Sequence, residues 1–184
     1  MAVQARFDSD KKMSGLTYTW LFDEIFTAYA VEGQDANRNG KAEAGELDAL
    51  LLEILGNIES ISYFTRFAET SVEPQFSPAQ PLSSNMVDGK LEISFTIPFR
   101  EPVDLSTKPL VFAIYDDEFY IAMNHDPDKN SQILPTDMAQ CKVDIQIPNP
   151  DEDLTAYANS LGKSESADFS LGDSFAEWVS ISCP

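Results

Sequence analysis

Asp35, Asn37, Asn39, Glu43 and Glu46 set oxygen-bearing side chains along a short segment with Gly40 in its middle. The run Asp35-Ala36-Asn37-Arg38-Asn39-Gly40-Lys41-Ala42-Glu43-Ala44-Gly45-Glu46 fits the pattern D-x-[DN]-x-[DN]-G-x₅-E at every specified position. Calcium, a hard cation, takes about six to eight oxygens at roughly 2.3–2.6 Å without strict angles. Asp35, Asn37 and Asn39 would offer side-chain oxygens from alternate positions of a winding loop. Gly40 would permit the sharp turn, and Lys41 would contribute its backbone carbonyl while its ammonium points outward. Glu43 sits where a ligand often acts through water, and Glu46 would bind with both oxygens. Residue frequencies put a chance match on the order of one in a thousand. The competing reading is a polar turn between helices, whose Asn and Gly serve turn geometry alone.

Such a loop needs a helix on each side. Phe22, Ile25, Phe26 and Tyr29 recur at helical spacing before it, and Leu47, Leu50, Leu51, Ile54, Leu55 and Ile58 form an apolar stripe after it. The expectation is an EF-hand-like helix-loop-helix over 20–58, with helices around 20–33 and 45–56. Gly56-Asn57 reads as the second helix's stop. Asn at both middle positions leaves three carboxylates in the loop, and Ala42 is small where paired loops carry a larger apolar residue. Affinity is therefore expected in the weak extracellular class, on the order of 10⁻⁴ M.

Around this insert the period is two. Val3, Ala5 and Phe7 alternate with polar residues, as do Leu16, Tyr18 and Trp20, with turn formers Asp8 to Gly15 between them: a β-hairpin. Tyr63 to Phe67 reads as a strand, Glu73 to Asn85 as a Pro- and Ser-rich loop, and Leu91 to Ile97 as a strand ended by Pro98. Leu110–Tyr115 and Phe119–Met123 form a further candidate pair around Asp116-Asp117-Glu118. Val143 to Ile147 makes a late strand. Asp151 opens a helix through Leu154, Tyr157 and Leu161 that stops at Gly162. A polar tail over 163–172 leads to a last strand, Phe175 to Ile181. The fold class expected is α+β: one domain over 1–184, mainly an antiparallel sheet, with the helix-loop-helix near the N-terminus and one later helix.

Composition narrows the function classes. The chain has 184 residues, 31 Asp+Glu against 12 Lys+Arg, and a net charge of -19. That surface repels phosphate backbones and anionic lipid head groups, which excludes nucleic acid as a partner, and it attracts cations. Twelve Phe, six Tyr and two Trp supply the apolar surface for a packed core. No apolar run reaches the ~20 residues of a membrane-spanning helix, so no direct membrane insertion is expected. Cys141 and Cys183 lie too far apart for a CxxC motif, and with one His in the chain no Cys/His zinc site can be completed. The pair reads either as a disulfide closing a loop of about 43 residues, which favours an oxidising compartment, or as two buried thiols of a cytosolic protein.

Other residues bear on chemistry less strongly. Asp126 to Asp137 is a degenerate echo of the loop in which Ser131 replaces the turn Gly, and it reads as a solvated loop between strands. His125 reads as a surface or structural histidine. Asp116-Asp117 could be paired carboxylates for acid/base work on an envelope polymer, although a hairpin turn explains them more simply. With no nucleophile elbow, Walker loop or GxGxxG, the chain is expected not to be an enzyme.

Tyr18-Thr19-Trp20-Leu21-Phe22-Asp23-Glu24 running into Phe26 and Tyr29 resembles the domain-of-unknown-function 1007 family of bacterial proteins. So do Phe95-x-Ile97-Pro98-Phe99-x-Glu101-Pro102-Val103, Tyr115-Asp116-x-x-Phe119-Tyr120, Cys141 and Cys183. Members are described as uncharacterised periplasmic components of ABC-type transport systems. The resemblance implies a secreted precursor, a periplasmic location and a link to transition-metal transport of the nickel, cobalt or zinc type, with a membrane permease as partner. It also implies an N-terminal His-Pro-His motif after a signal peptide. This chain begins Met1-Ala2-Val3, so no metal site built on that motif is carried onto it. The function expected is a periplasmic, non-enzymatic calcium-binding accessory or solute-binding component of such a system. The alternatives are a calcium-stabilised interaction module docking on a permease, or an envelope hydrolase.

Overall fold

The computed structural model describes residues 1–35, 38–39, 41–117, 121, 123–161 and 171–184. Alternation produces the expected hairpin: β1 (Ala2–Phe7) pairs antiparallel with β2 (Met13–Leu21), Val3 opposite Tyr18 and Ala5 opposite Leu16. β2 pairs in turn with the long β5 (Lys90–Val103), whose Leu91, Ile93, Phe95, Ile97 and Phe99 are all buried while the residues between them are not. Where β2 meets β5, Gly15 lies so close that an added Cβ would stand 2.7 Å from the Ile97 carbonyl oxygen. A side chain there would push the two strands apart.

The expected sheet is two sheets. The first runs β1-β2-β5-β4, with β4 at Gln80–Val87; the second runs β3-β6-β8-β7, from Thr65–Phe67, Leu110–Ile114, Trp178–Ser182 and Lys142–Gln146. All described pairings are antiparallel. Their buried faces share one core, tied by Tyr18 Oη to Thr65 Oγ1 at 3.0 Å and by the Tyr63 and Phe95 rings, 6.2 Å apart. Mixed helix and antiparallel sheet is the α+β class expected; the division into two sheets is the correction.

Several local expectations also change. The segment read as a loop up to Asn85 contains β4, an edge strand in which Pro81 stands at a register shift against β5. β5 continues past Pro98 to Val103. Proline lacks the ladder N–H, and it sits where the register with β2 shifts; its carbonyl accepts Ser77 N–H at 2.8 Å. Tyr63 and Phe64 do not join a strand. Ser62, Tyr63 and Phe64 have φ of 57°, 54° and 59°, a left-handed turn that places both rings in the core. Such backbone costs roughly 1–2 kcal/mol per residue, offset by burying the two aromatics. β6 is flanked by β3 and β8 rather than by a strand at 119–123, most of which lies outside the described residues.

The helices are α1 (Glu24–Val31), α2 (Ala44–Ile58), α3 (Glu152–Ser160) and α4 (Leu171–Phe175). Asp23 caps α1 through Phe26 N–H at 2.8 Å, and Asp151 caps α3 through Leu154 N–H at 2.8 Å. The Gly162 stop and the tail up to residue 170 lie outside the described residues. α4 replaces the start of the expected last strand, which begins only at Trp178. In α2 the helix runs through Gly56 to Ile58, burying Leu47, Leu50, Leu51 and Leu55. α1 does not bury its expected stripe. Thr27 is its buried residue, accepting Leu91 N–H on Oγ1 at 2.9 Å, while Ile25 is 85% and Tyr29 78% exposed.

Candidate metal centre

The loop between α1 and α2 leaves the first helix through Gly33, whose φ of +83° ends it. Both helices are anchored to the first sheet, α1 by Thr27 on β5 and α2 by Asp48, which accepts Ser84 Oγ–H of β4 at 2.7 Å. The loop is thus strung between two fixed supports.

Four of the six expected ligands are linked in series. Asp35 Oδ1 accepts Asn39 N–H at 2.9 Å, and Asn39 Nδ2 donates to Glu43 Oε1 at 2.8 Å. Glu46 Oε2 accepts Glu43 N–H at 2.9 Å from the first turn of α2. Lys41 also joins, its N–H donating to Asn39 Oδ1 at 2.8 Å. Asn37 lies outside the described residues, as do Ala36 and Gly40. Among the described residues, no three His, Cys, Asp or Glu side chains gather as a metal cluster. The donor set itself is carboxylate and amide oxygen, which suits a hard divalent cation and no soft one. Oxygens that accept a backbone N–H remain compatible with a cation, since a carboxylate offers about four lone-pair sites.

The other singled-out residues separate. Asp117 ion-pairs with Arg66, and Asp116 Oδ2 accepts Ile121 N–H at 3.1 Å, so each carboxylate has its own structural tie. Asp126 caps a 3₁₀ turn, Pro127–Gln132, accepting Asp128 N–H at 3.0 Å. The segment is not solvated throughout: Ile133 within it is buried, and its carbonyl accepts Ala5 N–H of β1 at 2.7 Å.

His125 is no surface residue. It is 7% exposed, with Nδ1 2.9 Å from Glu177 Oε2, which also accepts the His125 backbone N–H at 2.7 Å. Its Nε2 is buried without a hydrogen-bond partner. Burial holds the imidazole below its ordinary range, and Glu177 opposes that only in part. Sequence reasoning missed Glu177, which stands 52 residues away and carries no local signal. Cys141 and Cys183 form the disulfide, tying the entry of β7 to the residue after β8. No described helix is long and apolar enough to cross a membrane.

Comparison with known proteins places this frame. The sequence model of a family described as "Protein of unknown function (DUF1007)" matches residues 1–183. An uncharacterized protein of Haemophilus influenzae is 29% identical over 177 residues, covering 95% of this chain and 84% of that protein. An uncharacterized 15.5 kDa protein in the trpE 3′ region of Spirochaeta aurantia is 30% identical over 93 residues, half of this chain and 66% of that protein. No solved structure matches.

Proposed function

The chain belongs to the DUF1007 family, and from that premise we propose that it is a periplasmic, non-enzymatic calcium-binding protein acting as an accessory component of a transition-metal transport system. The observation that carries the calcium reading is the match of Asp35 to Glu46 to the calcium-loop pattern at every specified position, in a loop between two helices anchored to one sheet. Calcium at Asp35, Asn37, Asn39, Lys41, Glu43 and Glu46 replaces the internal hydrogen bonds with bonds to one cation and fixes the angle between α1 and α2. The resident ion then stabilises the fold by RT ln(1+[Ca]/Kd), about 2.7 kcal/mol at a hundredfold excess over Kd. The disulfide supports an oxidising compartment. The transport association rests on the family resemblance.

A second reading, a calcium-stabilised module docking on a permease, is favoured by the outward apolar side chains of α1, Ile25 and Tyr29.

Calorimetric titration of chelator-treated protein tests the site, with Ca²⁺ beside Mg²⁺, Zn²⁺ and Ni²⁺ and Glu46→Gln as control. One calcium per chain, weakened at least tenfold in Glu46→Gln, is the expected result. Silence with Ca²⁺ alongside tight Ni²⁺ or Zn²⁺ binding would overturn it.

A further inference from the structure

The seam between α1 and α2 is not closed. A cavity of about 520 Å³ lies at its sheet end, walled by Trp20, Phe22, Phe26, Ile54, Ile58 and Phe64. A second, of about 380 Å³, continues it past Tyr29 and Leu50, and the two share Phe26, Ile54 and Asn57. Together they form a trough along the helix pair. Two of its lining side chains are apolar and exposed: Leu21 is 50% and Tyr29 78% exposed.

The charge around the trough is of one sign. Asp23, Glu32 and Glu53 line it, and no Lys or Arg does so among the described residues. Between Leu21 and Ile58 the sequence has eight acidic residues and two basic ones, Arg38 and Lys41, both in the loop. An apolar floor with an acidic rim is complementary to an apolar stripe flanked by cations. An anionic lipid surface is repelled by the same rim. α1 is eight residues long, about 12 Å, which matches two to three turns of a bound helix.

We propose that the α1–α2 trough is a docking groove for a basic amphipathic helix of a partner protein. Apolar side chains at helical spacing enter the two cavities, and Lys or Arg on either side meet Asp23, Glu32 and Glu53. This deepens the second reading above and depends on the calcium site only for its stiffness, since calcium would set the angle between the groove's walls.

The test uses a fluorescently labelled, Trp-free synthetic helix of Leu and Lys, about 14 residues long. Its controls are a Leu/Glu peptide with the same apolar pattern and a scrambled Leu/Lys peptide. Anisotropy should show saturable binding of one Leu/Lys peptide per chain, weakening with salt, with a change of Trp20 emission in Trp178→Phe protein. The double variant Leu21→Ser/Tyr29→Ser alters exposed side chains that line the trough, should melt close to the parent, and should bind at least tenfold more weakly. Equal binding of the scrambled or Leu/Glu peptide, no binding, or an unchanged affinity in the double variant would each overturn the proposal. So would a dimer in light scattering that the double variant dissolves, because the occupant would then be a second copy. Repeating the titration in excess calcium and in chelator separates the two readings. Equal affinity in both supports the groove and refutes its coupling to calcium; silence toward calcium with intact peptide binding removes only the calcium site.

Discussion

Asn39 donates its side-chain amide to the Glu43 carboxylate at 2.8 Å, a bond between two residues that calcium would need as oxygen donors. An N–H aimed at Glu43 occupies a direction from which a cation would approach. Binding therefore requires Asn39 to turn its amide nitrogen away, while its Oδ1 already accepts Lys41 N–H at 2.8 Å. The loop is held by a hydrogen bond that a bound ion would have to replace, which would weaken its affinity.

The substitution Asn39→Asp removes that donor and adds a fourth carboxylate. Without calcium, the new carboxylate replaces a donor to Glu43 with a like charge beside it, which should lower the melting temperature. With calcium, the extra charge should tighten binding by about tenfold. Calorimetry and thermal melts of the variant with and without calcium check both signs; unchanged affinity would count against a cation among these residues.

Thr27→Val tests the anchoring of α1. Valine keeps the shape but leaves the buried Leu91 N–H without its acceptor, which should cost about 1–3 kcal/mol in urea unfolding. Because the loop hangs between two anchors, calcium affinity should fall in the same variant. A variant as stable as the parent would show that the bond contributes nothing.

Reduction of Cys141–Cys183 frees two residues separated by 42 positions. In the chain-entropy account this removes about 4 kcal/mol of stability. The midpoint of unfolding in reductant, set beside the Cys141→Ala/Cys183→Ala variant, measures the effect. Coincidence of the reduced and oxidised curves would contradict it.

The pH dependence of stability should carry the signature of His125. Its imidazole is held below the ordinary value of 6.5 by burial, so the unfolded chain takes up the proton first. The contribution is complete above pH 6.5 and is lost as pH falls from there through the folded value. His125→Gln should flatten that part of the profile. A parent profile without a decline on the acid side of that value would show that His125 is not buried neutral.

Much of the fold was legible because its signals are local. The alternation of Val3, Ala5, Leu16, Tyr18 and Trp20 and the stripe from Leu47 to Ile58 each reappear as the element expected. Where local signals misled, long-range packing had overridden them. Pro81 and Pro98 argue against strands in isolation, yet one sits on an edge strand and the other at a register shift. Ile25 and Tyr29 fit a helical stripe, but the buried position went to Thr27, whose hydroxyl meets a backbone N–H that a hydrocarbon cannot satisfy.

The sequence by itself determined the oxygen-rich loop between two helices, the helix opened by Asp151, and the acidic charge. These follow from residue types and spacings within a few turns of chain. Only the tertiary structure decided that the strands form two sheets, that Tyr18 meets Thr65 across 47 residues, and that His125 is buried against Glu177 across 52. It also left the α1–α2 seam open. Such pairings are set by which apolar faces must leave water together, and that depends on the whole chain at once.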